Sequence, residues 1–461
     1  MLKDVVTNKA ALFSDGCQSE LRCQKNTKRT VALLSGNLTA NSRTEESGVC
    51  ARVYKNGVYG FSSMAEVSDS AAESVLRAAT ENADFLAGKV GKNAPELPKI
   101  TAEPYFTDYA VSDTEQKLYI DFARELDSYI EKKYPDLSGR GVRIYCDSME
   151  KYISTSGASS GHTVLPRSYI YLRMSTQTKD GSPIERFCPI GDFGSFFENF
   201  STPDKVYPEI DALYEKIMKK REGIYPEAGL KTCILGGVLS GMLSHEAVGH
   251  TVEADLVLGG SVAAHSLGRE VASPLVTMVD FAHTFDNKPV PLPVYLDDEG
   301  VPASDEVLIK DGILTGYMNS RETAQRFGMV PRGSARAYSF SDEPLIRMRN
   351  TAILPGNSTL EEMIASVEDG YYFTDTNNGQ ADTTGEFMFG VCMGYEIKHG
   401  KIGRALLDTT ISGVAFDMLK TVDMVSDTMV WESCGFCGKK QPMPVGMGGP
   451  ALRCKVTVGG R

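Results

Sequence analysis

Residues 241–260 read GMLSHEAVGHTVEADLVLGG, and they hold a close cluster of groups that could do chemistry. His245 and Glu246 are adjacent, and His250 follows five positions after the first histidine. Neutral imidazoles suit Zn²⁺, and a carboxylate beside the first ligand could take a proton from metal-activated water, with Glu246 as the base. The spacing is the difficulty. On a regular helix four steps leave two side chains roughly 40° apart, whereas five leave them roughly 140° apart, too far to share one ion. Two devices would bring them together. A one-residue π-bulge widens the turn, or the helix loosens at Gly249, whose backbone is permissive. The sequence therefore predicts a distorted turn at Gly249. The competing reading is a chance HExxxH on an amphipathic helix, because short motifs often match by accident.

A catalytic zinc typically has three protein ligands, so a third must come from elsewhere. Glu253 and Asp255 are near in sequence, and His265 and His283 are moderately close. Cys437 is remote but lies in the glycine-flanked SCGFCGKK. It could equally be a buried free thiol, a redox partner of Cys434 or half of a zinc knuckle, although no second CxxC exists. Spacing leaves these open. Arg347 and Arg349 in RMRNT could grip a substrate carboxylate bidentately or form a structural ion pair. LDDEG (296–300) lacks the ligand spacing of an EF-hand and reads as a turn. GMGGP (446–450) lacks a dinucleotide-binding context, so its small residues read as an allowance for close backbone packing.

The elements that must position these groups fall into two expected regions. Residues 1–225, in subsegments of about 1–100 and 101–225, read as an N-terminal mixed domain with an antiparallel sheet. Residues 226–461 read as a strand-rich, barrel-like C-terminal domain carrying the metal-site helix, so the fold class is α+β. Asn56-Gly57 predicts a hairpin. Val67, Ala71, Val75 and Ala79 predict a helical stripe, and 89–111 read as a connector. A capping box from Ser112 to Glu115 opens a helix with Leu118, Phe122, Leu126 and Ile130 on one face. GVRIYCDS, KYISTSG and SYIYLRMSTQT read as strands, the last turning at Asp180-Gly181. A helix follows over 203–221, with Ile210, Leu213 and Ile217 buried. Another is expected over 358–368, capped by Ser358 and Glu361 and stopped by Gly370.

Bulk properties narrow the classes. The chain has 461 residues, 42% hydrophobic and 23% charged, ordinary for a globular protein. Its net charge of −12 disfavours a general binder of nucleic acid or anionic membranes. The N-terminal MLKDVVTNKAALFSDG has no apolar core of a secretory signal, and the most apolar stretch, 233–243, is too short to span a bilayer. A soluble, cytoplasmic protein with mostly reduced, buried cysteines is expected.

Several blocks resemble one family. LSHEAVGHTVEADL (243–256) closely resembles the metal-site motif of the TldD/PmbA (TldD/TldE) metallopeptidases. GVCARVYKNGVYGFSS (48–63) is similar to that family's N-terminal signature. VYLDDEGVPASDEVLIKDGILTGYM (294–318), RMRNTAILPG (347–356) and CGKKQPMPVGMGGPALR (437–453) are similar to its C-terminal blocks, in the same order. The resemblance spans nearly the whole chain. It implies that His245, His250 and Cys437 bind one zinc per active subunit and that Glu246 is the catalytic base. Metal-free paralogues of the PmbA/TldE type lack the histidine motif, so the chain resembles the catalytic, TldD-like branch. Unfolded or ribosomally made peptides are the implied substrates. The implied assembly is a homodimer, or a heterodimer with a metal-free TldE/PmbA-like paralogue. The rival expectation is a non-catalytic peptide-binding or regulatory subunit with a structural or absent metal. A closed site of Cys434, Cys437, His245 and His250 would favour it.

Overall fold

A computed structural model describes residues 2–460 except 7–8, 91–93, 95, 99, 101, 103–104, 108, 110–113 and 158. At Asn56-Gly57 the chain reverses as expected. Lys55 pairs with Val58, and the two turn residues take φ of 48° and 84°, the left-handed values a two-residue hairpin requires. This hairpin joins Asn37–Lys55 to Val58–Met64 at one end of a seven-stranded sheet. The sheet continues through Gln18–Leu34 and Gly139–Thr155 to Ser160–Gln177, which also carries Pro183–Phe193 and Tyr105–Phe106. GVRIYCDS and KYISTSG, expected as separate strands, form the single strand Gly139–Thr155, paired without a register shift. Within it Asp147 accepts from Arg167 on the neighbouring strand.

Helices cover this sheet. Asp69–Val90 buries Ala71, Val75 and Ala79 together with Ala72, Leu76 and Ala83, while Val67 precedes it. Gln116–Lys133 buries Phe122, Leu126 and Ile130, but Tyr119 occupies the inward position and Leu118 is exposed. The expected cap Ser112 lies outside the described residues; Glu115 stands at the helix start without a side-chain cap bond. A 3₁₀ turn, Pro203–Val206, leads into Tyr207–Arg221, which buries Ile210, Leu213 and Ile217.

Beyond Gly229 strands dominate. Gly229–Leu235, Leu452–Val458, Thr409–Val414, Glu386–Lys398 and Asp369–Ala381 pair in that order, and the last pairs back onto the first. The circuit is closed, which removes sheet edges. Beside it lies a six-stranded sheet ending in Asn350–Ile353, Met443–Gly449 and the edge strand Val430–Cys437. The architecture is α+β, with antiparallel pairing throughout most of the sheets and a barrel-like C-terminal region. The expected 358–368 helix is shorter, Leu360–Ala365, and its capping box is Thr359 with Glu362, one residue later. Gly370 does not stop it. That glycine lies in the Asp369–Ala381 strand, where a Cβ would meet the Thr232 carbonyl at 2.2 Å. Two further helices, Arg321–Phe327 and Ala415–Lys420, were not expected from the pattern. Among the described residues, no helix is long and apolar enough to cross a membrane.

Candidate metal centre

The histidine-bearing segment is clamped in the largest hydrophobic core by Leu239, Leu243, Ala247, Val248 and Val252. It starts as an ordinary helix, Gly237–Met242, becomes a π-helix over Leu243–Gly249, and tightens to a 3₁₀ turn over His250–Val252. The His250 N–H donates to the His245 carbonyl, five residues back. That wider hydrogen-bonded loop stacks residues five apart, which an α-helix cannot do. Of the two devices considered, the π-turn is the one used. Gly249 keeps ordinary helical angles, φ −52° and ψ −51°, so its flexibility is not what matters. Its missing side chain is: a Cβ there would lie 2.1 Å from the Met348 sulfur.

The two imidazole rings end 5.2 Å apart, centroid to centroid, nearly perpendicular. Cys437 arrives from the end of Val430–Cys437, whose partner strand Met443–Gly449 packs on the Gly237–Met242 helix. Close approach needs the small residues: a Cβ on Gly449 would fall 2.2 Å from Ser240 Oγ. GMGGP therefore serves packing, as its composition suggests. Potential ligand atoms of His245, His250 and Cys437 all lie within 4.8 Å of one another, and Cys437 Sγ is 3.4 Å from His250 Nε2.

Neighbouring groups fix this arrangement. His250 Nδ1 is 2.8 Å from Glu253 Oε2, which leaves Nε2 facing the thiol. Lys439, two residues after Cys437, reaches Glu253 at 3.3 Å and Asp255 at 2.7 Å. Arg347 is wholly buried and donates to the Cys437, Lys439 and Gln441 carbonyls at 2.6, 2.9 and 2.8 Å. Arg349, also wholly buried, pairs with Asp280 and bonds the Arg332 and Ser304 carbonyls. The structural ion pair expected of these arginines is formed by Arg349 with Asp280, whereas Arg347 bonds backbone carbonyls instead.

Electrostatics sharpen the picture. Burial works against a Cys437 thiolate, but hydrogen bonds and charge from His245 and His250 outweigh it and bring the thiol down to about 3. Burial likewise works against a charged His250, yet its bonds to Cys437 and Glu253 raise it to about 10. Glu246, beside them, has its carboxylate oxygens 3.9 Å from His245 Nε2 and 3.8 Å from His250 Nε2, and its side chain is about a quarter exposed.

Two imidazoles and a thiolate form a borderline-soft donor set that fits Zn²⁺. Among the described residues the buried His245 Nδ1 has no hydrogen-bond partner, and a bound cation would satisfy it. The other expected ligand candidates are elsewhere. Glu253 and Asp255 act on His250 and Lys439, and among the described residues His265, His283 and Cys434 do not join the cluster. Cys434 sits where pairing shifts register between Glu432 and Gly435, with its thiol pushed up by burial. Glu253 and Arg347 as positioning groups were missed by sequence reasoning. A carboxylate three residues after His250 on a tight turn was the available signal for the first; nothing local marked the second.

Sequence comparisons agree along the chain. The profile for the PmbA/TldA metallopeptidase C-terminal domain matches residues 229–460, and that for PmbA/TldA metallopeptidase domain 1 matches residues 19–83. A metalloprotease TldD homolog of Haemophilus influenzae is 40% identical over 238 residues, covering 50% of this chain and only 49% of its own length. A metalloprotease of Methanothermobacter thermautotrophicus is 31% identical over 457 residues, 94% of each chain. A zinc metalloprotease TldD homolog of Saccharolobus solfataricus is 27% identical, covering 90% of each. The solved structure of TldE from Thermococcus kodakarensis has the same fold, with a TM-score of 0.73 at 15% identity over 99% of each chain.

Proposed function

This chain belongs to the PmbA/TldD metallopeptidase family as a TldD-like metalloprotease, and we propose that it hydrolyses unfolded or ribosomally made peptides at a site built from His245, His250, Cys437 and Glu246. The first three would hold one Zn²⁺ per active subunit, and Glu246 would be the general base. Zinc in such a site supplies Lewis acidity, polarising a peptide carbonyl and easing deprotonation of water at neutral pH. Glu246 takes the proton of the attacking water on a carboxylate oxygen and returns it to the departing amine nitrogen. Glu253 fixes the ring of His250, and Arg347 fixes the loop that presents Cys437. With Cys434 outside the cluster, three protein ligands leave room for solvent and substrate, which supports a catalytic rather than a closed structural site.

The observation that carries this reading is the convergence of two histidines five positions apart with a thiol from the other end of the domain, beside a carboxylate 3.8–3.9 Å from both rings. The proposed assembly is a homodimer or a heterodimer with a metal-free TldE/PmbA-like paralogue, supported by the shared fold with a TldE protein. Ten free cysteines suit work in the reducing cytoplasm. The test is metal analysis of the purified protein combined with a digest of unfolded casein. About one zinc per chain and cleavage lost on chelation and regained with zinc are expected; a zinc-loaded protein that cuts no unfolded peptide would overturn the assignment.

A further inference from the structure

A cavity of about 950 Å³ opens between the N-terminal sheet and the C-terminal half, walled by Tyr171, Val238, Met242, Glu432 and Met447. Its size is that of a small-molecule or side-chain site. It also adjoins the proposed reaction centre. Val238 and Met242 lie on the helix that continues into the histidine turn, and Glu246 follows Met242 by four residues, about 6 Å along the axis. Gly435, which also lines the cavity, stands two strand residues from Cys437, about 7 Å.

The charges in this cavity are matched except at one point. Asp375 pairs with Arg186 at 2.8 Å, Asp408 with the buried Lys220 at 2.6 Å, and Glu185 with Arg173. Glu432 is different. Its carboxylate accepts the Cys434 backbone N–H at 3.2 Å, and among the described residues no cation lies within ion-pair distance. Burial, with nearby Asp375 adding to it, pushes its carboxyl up, the behaviour of an acid that lacks a counter-charge. The local register shift between Glu432 and Gly435 is a β-bulge, a device that re-aims side chains beside active sites. The cavity lining mixes polar and charged groups with apolar side chains, among them Tyr171, Val238, Met242 and Met447, and apolar surface beside an acid suits a side chain with a hydrocarbon stem and a charged head.

We propose that this cavity receives a lysine or arginine side chain of the peptide substrate and that Glu432 selects it. The inference rests on the peptidase reading and adds its specificity. In an extended peptide each residue advances about 3.3 Å, so the selected side chain lies a few residues from the scissile bond.

The test uses the zinc-loaded full chain and peptides in which one lysine, or its uncharged isostere norleucine, is moved stepwise along an alanine–serine backbone. At one position lysine should raise kcat/KM at least about tenfold over norleucine, the value of a charged hydrogen bond. Glu432→Gln should bring that ratio near one, and Glu432→Lys should turn the preference towards glutamate. Equal rates at every position, or a lysine preference that survives Glu432→Gln, overturn the proposal. If no peptide is cut, binding of fluorescently labelled versions of these peptides to zinc-free protein separates the two claims. A lysine preference lost in Glu432→Gln keeps the pocket while the peptidase reading falls, and indifference to lysine removes the pocket.

Discussion

A histidine that binds a metal through one nitrogen needs the other one fixed, and Glu253 Oε2, 2.8 Å from Nδ1 of the proposed ligand His250, is placed to do that. Under the proposed mechanism, Glu253→Ala should lower zinc affinity by about 10–100-fold, measured by competition with a chromogenic chelator. Affinity unchanged by that substitution would remove Glu253 from the site. Glu246→Gln separates holding from reacting: zinc content should stay near one per chain while kcat falls by about 10²–10⁴-fold. At this scale the sequence was informative about reactive groups and poor on their supports. His245, Glu246 and His250 stand together in the chain, so type and spacing mark them as candidates, with a chance match as the competing reading until the family resemblance is added. Cys437 was one of five possible third ligands until the resemblance singled it out. For Arg347 the sequence left a substrate clamp and a structural ion pair open, because its burial and its three carbonyl partners depend on segments about 90 residues away.

The element that makes the site is the π-turn of Leu243–Gly249. Its existence was legible, since five-residue spacing demands a distortion. The reason for its glycine was not, because Met348, which fills the space a Cβ would need, lies a hundred residues on. Gly249→Ala should therefore destabilise the fold by about 1–3 kcal/mol through overpacking and loosen zinc binding as the turn shifts. Adding Met348→Ala should recover part of the lost metal affinity, which a purely conformational role for the glycine would not allow. Titration of each variant with zinc, alongside thermal unfolding, distinguishes the two. Boundaries elsewhere were less legible. Leu118 and Tyr119 compete for one inward position, and Thr359 rather than Ser358 caps its helix, since neighbouring residues of similar chemistry are told apart only by packing.

Across the whole molecule, LDDEG is the join. The turn was anticipated, but its acids are buried against the N-terminal sheet. Asp298 pairs with Arg22 at 3.2 Å and Lys151 at 2.7 Å, and Glu299 with Arg52 at 2.6 Å. Such pairs link residues 147–276 positions apart, beyond any local pattern. We propose 1–225 and 226–461 as the two building units, and these bridges then make them interdependent. Asp298→Ala, which strands two buried cations, should cost about 3–5 kcal/mol in denaturant unfolding. A loss below 1 kcal/mol would contradict that role. Glu306 offers a pH readout. Burial, only partly offset by Arg332, raises its carboxyl to about 7 from 4.5. The native state thus binds more protons than the unfolded chain between those values, and stability from this group falls as pH rises from 4.5 to 7. Glu306→Gln should accordingly be more stable relative to wild type at pH 8 than at pH 5, by thermal midpoint.

The measurement that bears most directly on the centre is zinc X-ray absorption on the wild-type protein and Cys437→Ser. A wild-type spectrum with imidazole scattering and one sulfur at about 2.3 Å, the sulfur absent from the variant, is the predicted result. A wild-type zinc environment without sulfur, or one unchanged by the substitution, would contradict the account.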